Sequence, residues 1–139
     1  MKREKKVISY NPAILKISSE KDGLPHLMAS RCKSCKVLFF PPQTFCSQCL
    51  SNDLESIELG NRGTLYSFTI VERSSLAPEN FQVPFAYGYV DLPEGARILA
   101  KIINWEPGAL KIGSPVEMTL EKIREDGEGN SVMAFRFAP

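Results

Sequence analysis

Apolar and polar residues alternate along most of the second half of the chain. Tyr66, Phe68 and Ile70 alternate with Ser67, Thr69 and Val71, which predicts a strand with one apolar face. Residues 86–92 and 97–103 predict two more strands, joined by the turn Pro93-Glu94-Gly95. Val116, Met118 and Leu120 alternate with Glu117, Thr119 and Glu121 and predict a fourth. After the glycine-rich turn Asp126-Gly127-Glu128-Gly129-Asn130, Met133, Phe135 and Phe137 predict the apolar face of a fifth. Five short strands with glycine turns predict a small closed barrel, and the OB-fold is the five-stranded candidate.

The first half reads differently. Residues 27–30 predict a strand that enters a Cys32-x-x-Cys35 pair, and Val37-Leu38-Phe39-Phe40 a strand that leaves it. Pro41-Pro42 turns the chain toward a second pair, Cys46-x-x-Cys49. Residues 1–23 form an N-terminal extension. It opens with a basic run, and Pro12 sits where a short helix over 12–17 could begin, with Ile14, Leu15 and Ile17 as its stripe. The expected domains are this extension, a metal ribbon over 24–60 and a barrel over 61–139.

Cys32, Cys35, Cys46 and Cys49 are all the cysteines in the chain. Each C-x-x-C turn aims two thiolates at one ion, and a short hairpin brings the second pair opposite the first. The ten-residue spacer suffices for two short strands and a turn. Zinc is the expected metal, and iron in a four-thiolate site is the alternative. Such a closed site has no open coordination position and does no chemistry. A ribbon this short buries too little apolar surface to fold alone, so the metal substitutes for a core. Phe39, Phe40 and Phe45 are expected to pack around the thiolates.

The composition, 43% hydrophobic and 24% charged, is that of a soluble globular protein. The net charge is +1, which disfavours nucleic acid, whose binding needs concentrated Lys and Arg. No stretch is apolar for long enough to span a membrane. Reduced cysteines and a charged, unexported start make the cytoplasm the expected location.

No catalytic constellation is visible. His26 is the only histidine, and the expected reading is a packed or surface residue. With the cysteines committed to metal, no nucleophile–base pair remains. Two features invite a binding role. Phe81, Pro84, Phe85, Tyr87 and Tyr89 cluster after the first barrel strand, where they suit either a core plug or a partner or acyl-CoA contact. Arg31, Lys33 and Lys36 flank the first knuckle, where they offset thiolate charge or contact a phosphate.

The order of parts resembles a known family. Cys32-Lys33-Ser34-Cys35, Phe40-Pro41-Pro42 and Cys46-Ser47-Gln48-Cys49 are similar to its rubredoxin-like ribbon. Gly63-Thr64-Leu65-Tyr66-Ser67-Phe68-Thr69 resembles its first barrel strand. Val90-Asp91-Leu92-Pro93-Glu94-Gly95-Ala96-Arg97-Ile98-Leu99-Ala100, Ile112-Gly113-Ser114-Pro115-Val116 and Phe135-Arg136-Phe137-Ala138-Pro139 also fit. The resemblance runs from residue 24 to 139. It implies a small, non-catalytic partner of a thiolase-fold large subunit, such as the small subunit of 2-benzoylsuccinyl-CoA thiolase. In such assemblies the large subunit carries the catalytic groups. The small one covers the active-site entrance and helps hold or channel acyl-CoA. Two departures stand out: residues 1–23 hold only one aromatic, Tyr10, and the glycine usual after the first knuckle is Lys36. The competing functions are a single-stranded nucleic-acid-binding ribbon and barrel, and an acyl-CoA carrier without a fixed partner.

Overall fold

The computed structural model describes residues 6–73 and 83–139. Among them are ten strands and no helix: β1 (Val7–Ser9), β2 (Leu15–Lys16), β3 (His26–Cys32), β4 (Leu38–Phe39), β5 (Leu54–Glu58), β6 (Arg62–Val71), β7 (Phe85–Asp91), β8 (Arg97–Ile102), β9 (Pro115–Glu125) and β10 (Ser131–Ala138). They form two compact units. One is the chain up to Gly60 with Leu120–Phe135; the other is Asn61–Thr119 with Arg136–Pro139.

In the first unit β3 is the hub. It pairs antiparallel with β2 through Leu15 and Leu27, with β4 through Ser30 and Phe39, and with β5 from Met28–Glu58 to Cys32–Leu54. Leu15, Leu27, Ala29 and Leu59 are fully or almost fully buried there. The short helix expected over 12–17 does not form. Asn11 accepts from the amides of Ile14 and Leu15, and its side chain from Ala13, which makes one turn. The Ile14 carbonyl then accepts from Met28 at 2.7 Å, so β3 takes the groups a helix would use. β1 pairs parallel with β10, with Val7, Ile8 and Ser9 opposite Ser131, Val132 and Met133. The glycine-rich turn closes on Asp126, whose carboxylate accepts from the amides of Glu128 and Asn130.

The predicted barrel is present. β6, β7, β8, β10 and β9 pair in that order, and β9 returns to β6. Leu65, Val90, Ile98, Ile102, Val116 and Phe137 fill its interior. Gly88 is required where β7 passes β6, because a Cβ there would lie 2.1 Å from the Ser67 carbonyl oxygen.

Two strand faces differ from the alternation read in the sequence. A β-bulge between Leu65 and Ser67 turns Tyr66 outward, 50% exposed, and puts Leu65 in the core. Tyr66 therefore does not share a face with Phe68 and Ile70. In β10 the buried residues are Val132, Ala134 and Phe137, so the alternation changes phase before the end of the strand. Phe135 contacts Tyr10 and Phe40 instead, at ring distances of 6.4 Å each.

Candidate metal centre and exposed aromatic face

The two C-x-x-C turns are built alike. Lys36 donates its amide to the Cys32 carbonyl at 2.9 Å, and Leu50 donates to Cys46 at 2.8 Å. Cys32 donates to Val37, and Cys46 to Ser51. Lys36 and Leu50, each the residue after a knuckle, have φ of 69° and 63°. This left-handed position is where glycine is usual. Lys36 therefore adopts the same conformation at some cost, and the departure from the family pattern leaves the knuckle geometry intact.

The four sulfurs converge. All lie within 4.8 Å of one another, with Cys32 and Cys49 3.5 Å apart and Cys35 and Cys46 3.4 Å apart. Thiolates about 2.3 Å from a tetrahedral ion stand roughly 3.8 Å from each other, so the donor set fits one metal. Cys32 and Cys46 are buried, Cys35 and Cys49 exposed.

Backbone amides point at the sulfurs. Those of Cys35 and Ser34 pull the Cys32 thiol down to about 6, and those of Cys49 and Gln48 lower Cys46. At Cys35 the Val37 amide, and at Cys49 the Ser51 amide, act in the same sense. The neighbouring sulfurs outweigh them, and Cys49 is pushed up to about 12. Four thiolates this close repel one another, and a divalent cation at their centre removes that cost.

Not every expected shell residue is where the sequence predicted. Phe39 and Phe40 are half-buried, and Phe40 packs edge-on against Phe135. Phe45 is 51% exposed and does not shield the thiolates. His26 lies outside the sulfur cluster and bonds to Leu59 and Asp22. Lys33 pairs with Asp53 at 3.6 Å, Arg31 is half-buried on β3, and Lys36 is exposed.

The barrel carries a second feature. Tyr87 and Tyr89 on β7 stand opposite Lys101 and Leu99 on β8, and Asp91 opposite Arg97. Paired residues share a face, here the outer one. Tyr66, Tyr87, Tyr89 and Leu99 are each 40–52% exposed on it. The Arg97 guanidinium lies 3.5 Å from the Tyr66 ring centroid. It also holds both Asp91 oxygens, at 2.6 and 3.1 Å. That bond keeps Asp91 below its ordinary range and raises Arg97 further.

Of the predicted aromatic cluster, Pro84 and Tyr87 are exposed. Phe85 is 5% exposed and stacks on Tyr87, ring centroids 6.1 Å apart. Phe81 lies outside the described residues. Sequence reasoning did not single out Tyr66, Arg97 and Leu99 as a surface. Alternation alone could have found Arg97, Leu99 and Lys101 opposite the buried Ile98, Ala100 and Ile102.

Residues 23–55 match the family described as ChsH2, rubredoxin-like zinc ribbon domain, and residues 56–121 that described as ChsH2, C-terminal OB-fold domain. Benzoylsuccinyl-CoA thiolase subunit BbsA of Thauera aromatica is 32% identical, covering 98% of this chain and 92% of that one. A DUF35 domain-containing scaffold protein of Methanocaldococcus jannaschii is 33% identical over 81% of each chain. Among solved structures, the Ltp2-ChsH2(DUF35) aldolase superposes with a TM-score of 0.66 at 29% identity, over 82% of this chain and 84% of that one. Among the described residues no helix is long and apolar enough to cross a membrane. A four-cysteine ribbon followed by a closed five-stranded barrel, matched across nearly the whole chain, means that this protein belongs to the ChsH2-type (DUF35) family of zinc-ribbon and OB-fold proteins.

Proposed function

We propose that this chain is a non-catalytic accessory subunit of a thiolase-type acyl-CoA acyltransferase complex. In that role it covers the active-site entrance of a large subunit and helps hold or channel acyl-CoA. The observation that carries the reading is the exposed face of Tyr66, Tyr87, Tyr89 and Leu99. Large apolar groups in water carry a free-energy cost that a partner surface removes, and tyrosines are among the residues that anchor interfaces. Similar proteins are named as a thiolase subunit, a scaffold and part of an aldolase assembly, which supports a partner. Pro84 extends the docking face, and Phe85 stacks on Tyr87.

The four cysteines hold a structural zinc ion in this reading. Four protein thiolates close its coordination shell, so the metal fixes the ribbon and leaves no position for substrate. Arg31 and Lys36 offset the negative charge of the metal–thiolate group, as does Lys33 where Asp53 leaves it free, and they are the candidates for a phosphate contact. The one imidazole of the chain has both nitrogens engaged, which argues against a general base. Polyanion binding is disfavoured because Arg97, the arginine of the aromatic face, is tied to Asp91.

The test is assembly. The chain is co-expressed with a thiolase-fold large subunit of its own host, and the product is sized by light scattering. The parent should form a complex, and a Tyr87→Ala/Tyr89→Ala variant that keeps its metal and fold should not. A parent that stays alone, or a variant that assembles equally well, would contradict the reading.

A further inference from the structure

His26 opens β3 with its side chain only 13% exposed. Both ring nitrogens are engaged. Nδ1 lies 2.7 Å from the Leu59 carbonyl oxygen and Nε2 2.7 Å from Asp22 Oδ2. A carbonyl and an ionised carboxylate can only accept. A neutral imidazole has one N–H and one lone pair, so either tautomer would aim a lone pair at an oxygen at this distance. The imidazolium has two N–H groups and satisfies both. Glu58 places a second carboxylate 3.9 Å from Nε2. It is itself bonded by the Ser19 hydroxyl at 3.0 Å and flanked by Lys16 Nζ at 3.8 Å.

The bonded groups come from separate segments. Asp22 sits in a turn whose backbone closes on itself. Leu24 donates to Asp22 Oδ1 at 2.9 Å, Ser19 donates to the Leu24 carbonyl at 2.9 Å, and Gly23 to the Ser19 carbonyl at 2.8 Å. Leu59 follows β5, and its amide donates to the Leu27 carbonyl at 2.8 Å. We propose that His26 is a proton-operated clamp: as an imidazolium it ties the 19–24 turn to the end of β5 alongside the Ser19–Glu58 bond, and loss of its proton loosens the turn.

The titration of the groups supports this geometry. Burial is the largest single influence on His26 and lowers its pKa. The Leu59 carbonyl, Asp22 and Glu58 raise it, and together they win, so it stands above its ordinary 6.5. Asp22 falls below its ordinary 3.8, first through the Leu24 amide and then through His26. A histidine raised on folding contributes stability that is complete below about 6.5 and is lost as pH rises through the folded value. A lowered carboxylate contributes stability present above 3.8 and lost as pH falls through its folded value. The clamp is therefore closed from the folded-state value of Asp22, below 3.8, up to that of His26, above 6.5. The sulfur ligands take no part, because His26 bonds to none of them.

Because the chain has a single histidine, one ring reports the state of the clamp. The experiment is a nitrogen-15 NMR pH titration of the full, metal-loaded chain, following the ring nitrogens and the Gly23 and Leu24 amides. Both ring nitrogens should carry protons below the folded midpoint. The midpoint should lie above that of the denatured chain, and amide exchange at Gly23 and Leu24 should quicken through the same midpoint. Asp22→Asn keeps an oxygen for the Leu24 amide, so the turn can survive while the ring midpoint falls. Glu58→Gln should lower it less, as its oxygen is farther away. A midpoint at or below the denatured value, or turn amides indifferent to the ring, would each overturn the clamp.

Discussion

In the unit built around β3, the deepest side chains include Leu15, Leu27, Leu59 and Val132 together with two cysteines, Cys32 and Cys46. In the barrel they are Leu65, Val90, Ile98, Ile102, Val116 and Phe137. The barrel is held by apolar burial, which needs nothing added. The ribbon places sulfur in its interior, and four thiolates gathered there repel one another until a cation joins them. One chain thus uses two sources of stability, and they should respond to different insults.

The largest expected effect is on the ribbon. Cys46→Ser should abolish stoichiometric metal and the protection of β3–β5 amides, because binding free energy is folding free energy at such sites. Metal analysis with residue-resolved hydrogen exchange checks it. Stoichiometric iron in the parent, with a visible thiolate band, would change the metal and leave the comparison standing. Loss of barrel protection together with that of the ribbon would break the comparison.

Next in size is the converse change. Ile98 is 1% exposed in the barrel, and Ile98→Ala should cost about 2–5 kcal/mol. Denaturant unfolding measures it, and metal content should stay at the parental level. A smaller effect is expected at the barrel surface. Tyr89→Ala should change stability by no more than about 0.5 kcal/mol yet weaken association with the large subunit by about 2 kcal/mol, roughly thirtyfold. Calorimetry of the pair separates the two. The smallest effect is at Lys36, whose φ is 69°. Lys36→Gly relieves the left-handed strain but adds freedom to the unfolded chain, so the gain should be at most about 1 kcal/mol. A clear loss would mean that the lysine side chain itself supports the knuckle.

Much of this was legible in the sequence because it rests on local signals. Two C-x-x-C pairs point by spacing alone to the four sulfurs that converge, and glycine turns with period-two alternation state most of the barrel strands. The failures come from long-range pairing. Residues 12–17 read as a helix start, but β3 claims Ile14 and Leu15 from a distance. The pairing of β1 with β10 joins Val7 to Ser131, and no local pattern announces it. The bulge at Tyr66 and the phase change in β10 each turn residues to the other face, which strict alternation cannot foresee. Phe45, expected to pack, is exposed, and Phe85, which suited either the core or a contact, is buried.

The central claim, that this chain contributes structure and contacts rather than reacting groups, is tested most directly by acyl-CoA turnover. Three samples are assayed: the metal-loaded chain alone, the thiolase-fold large subunit alone, and both together. The account predicts no turnover by the chain alone and full activity only in the mixture. Turnover by the purified chain itself, at a rate that persists through purification with none of the large subunit present, would contradict the account.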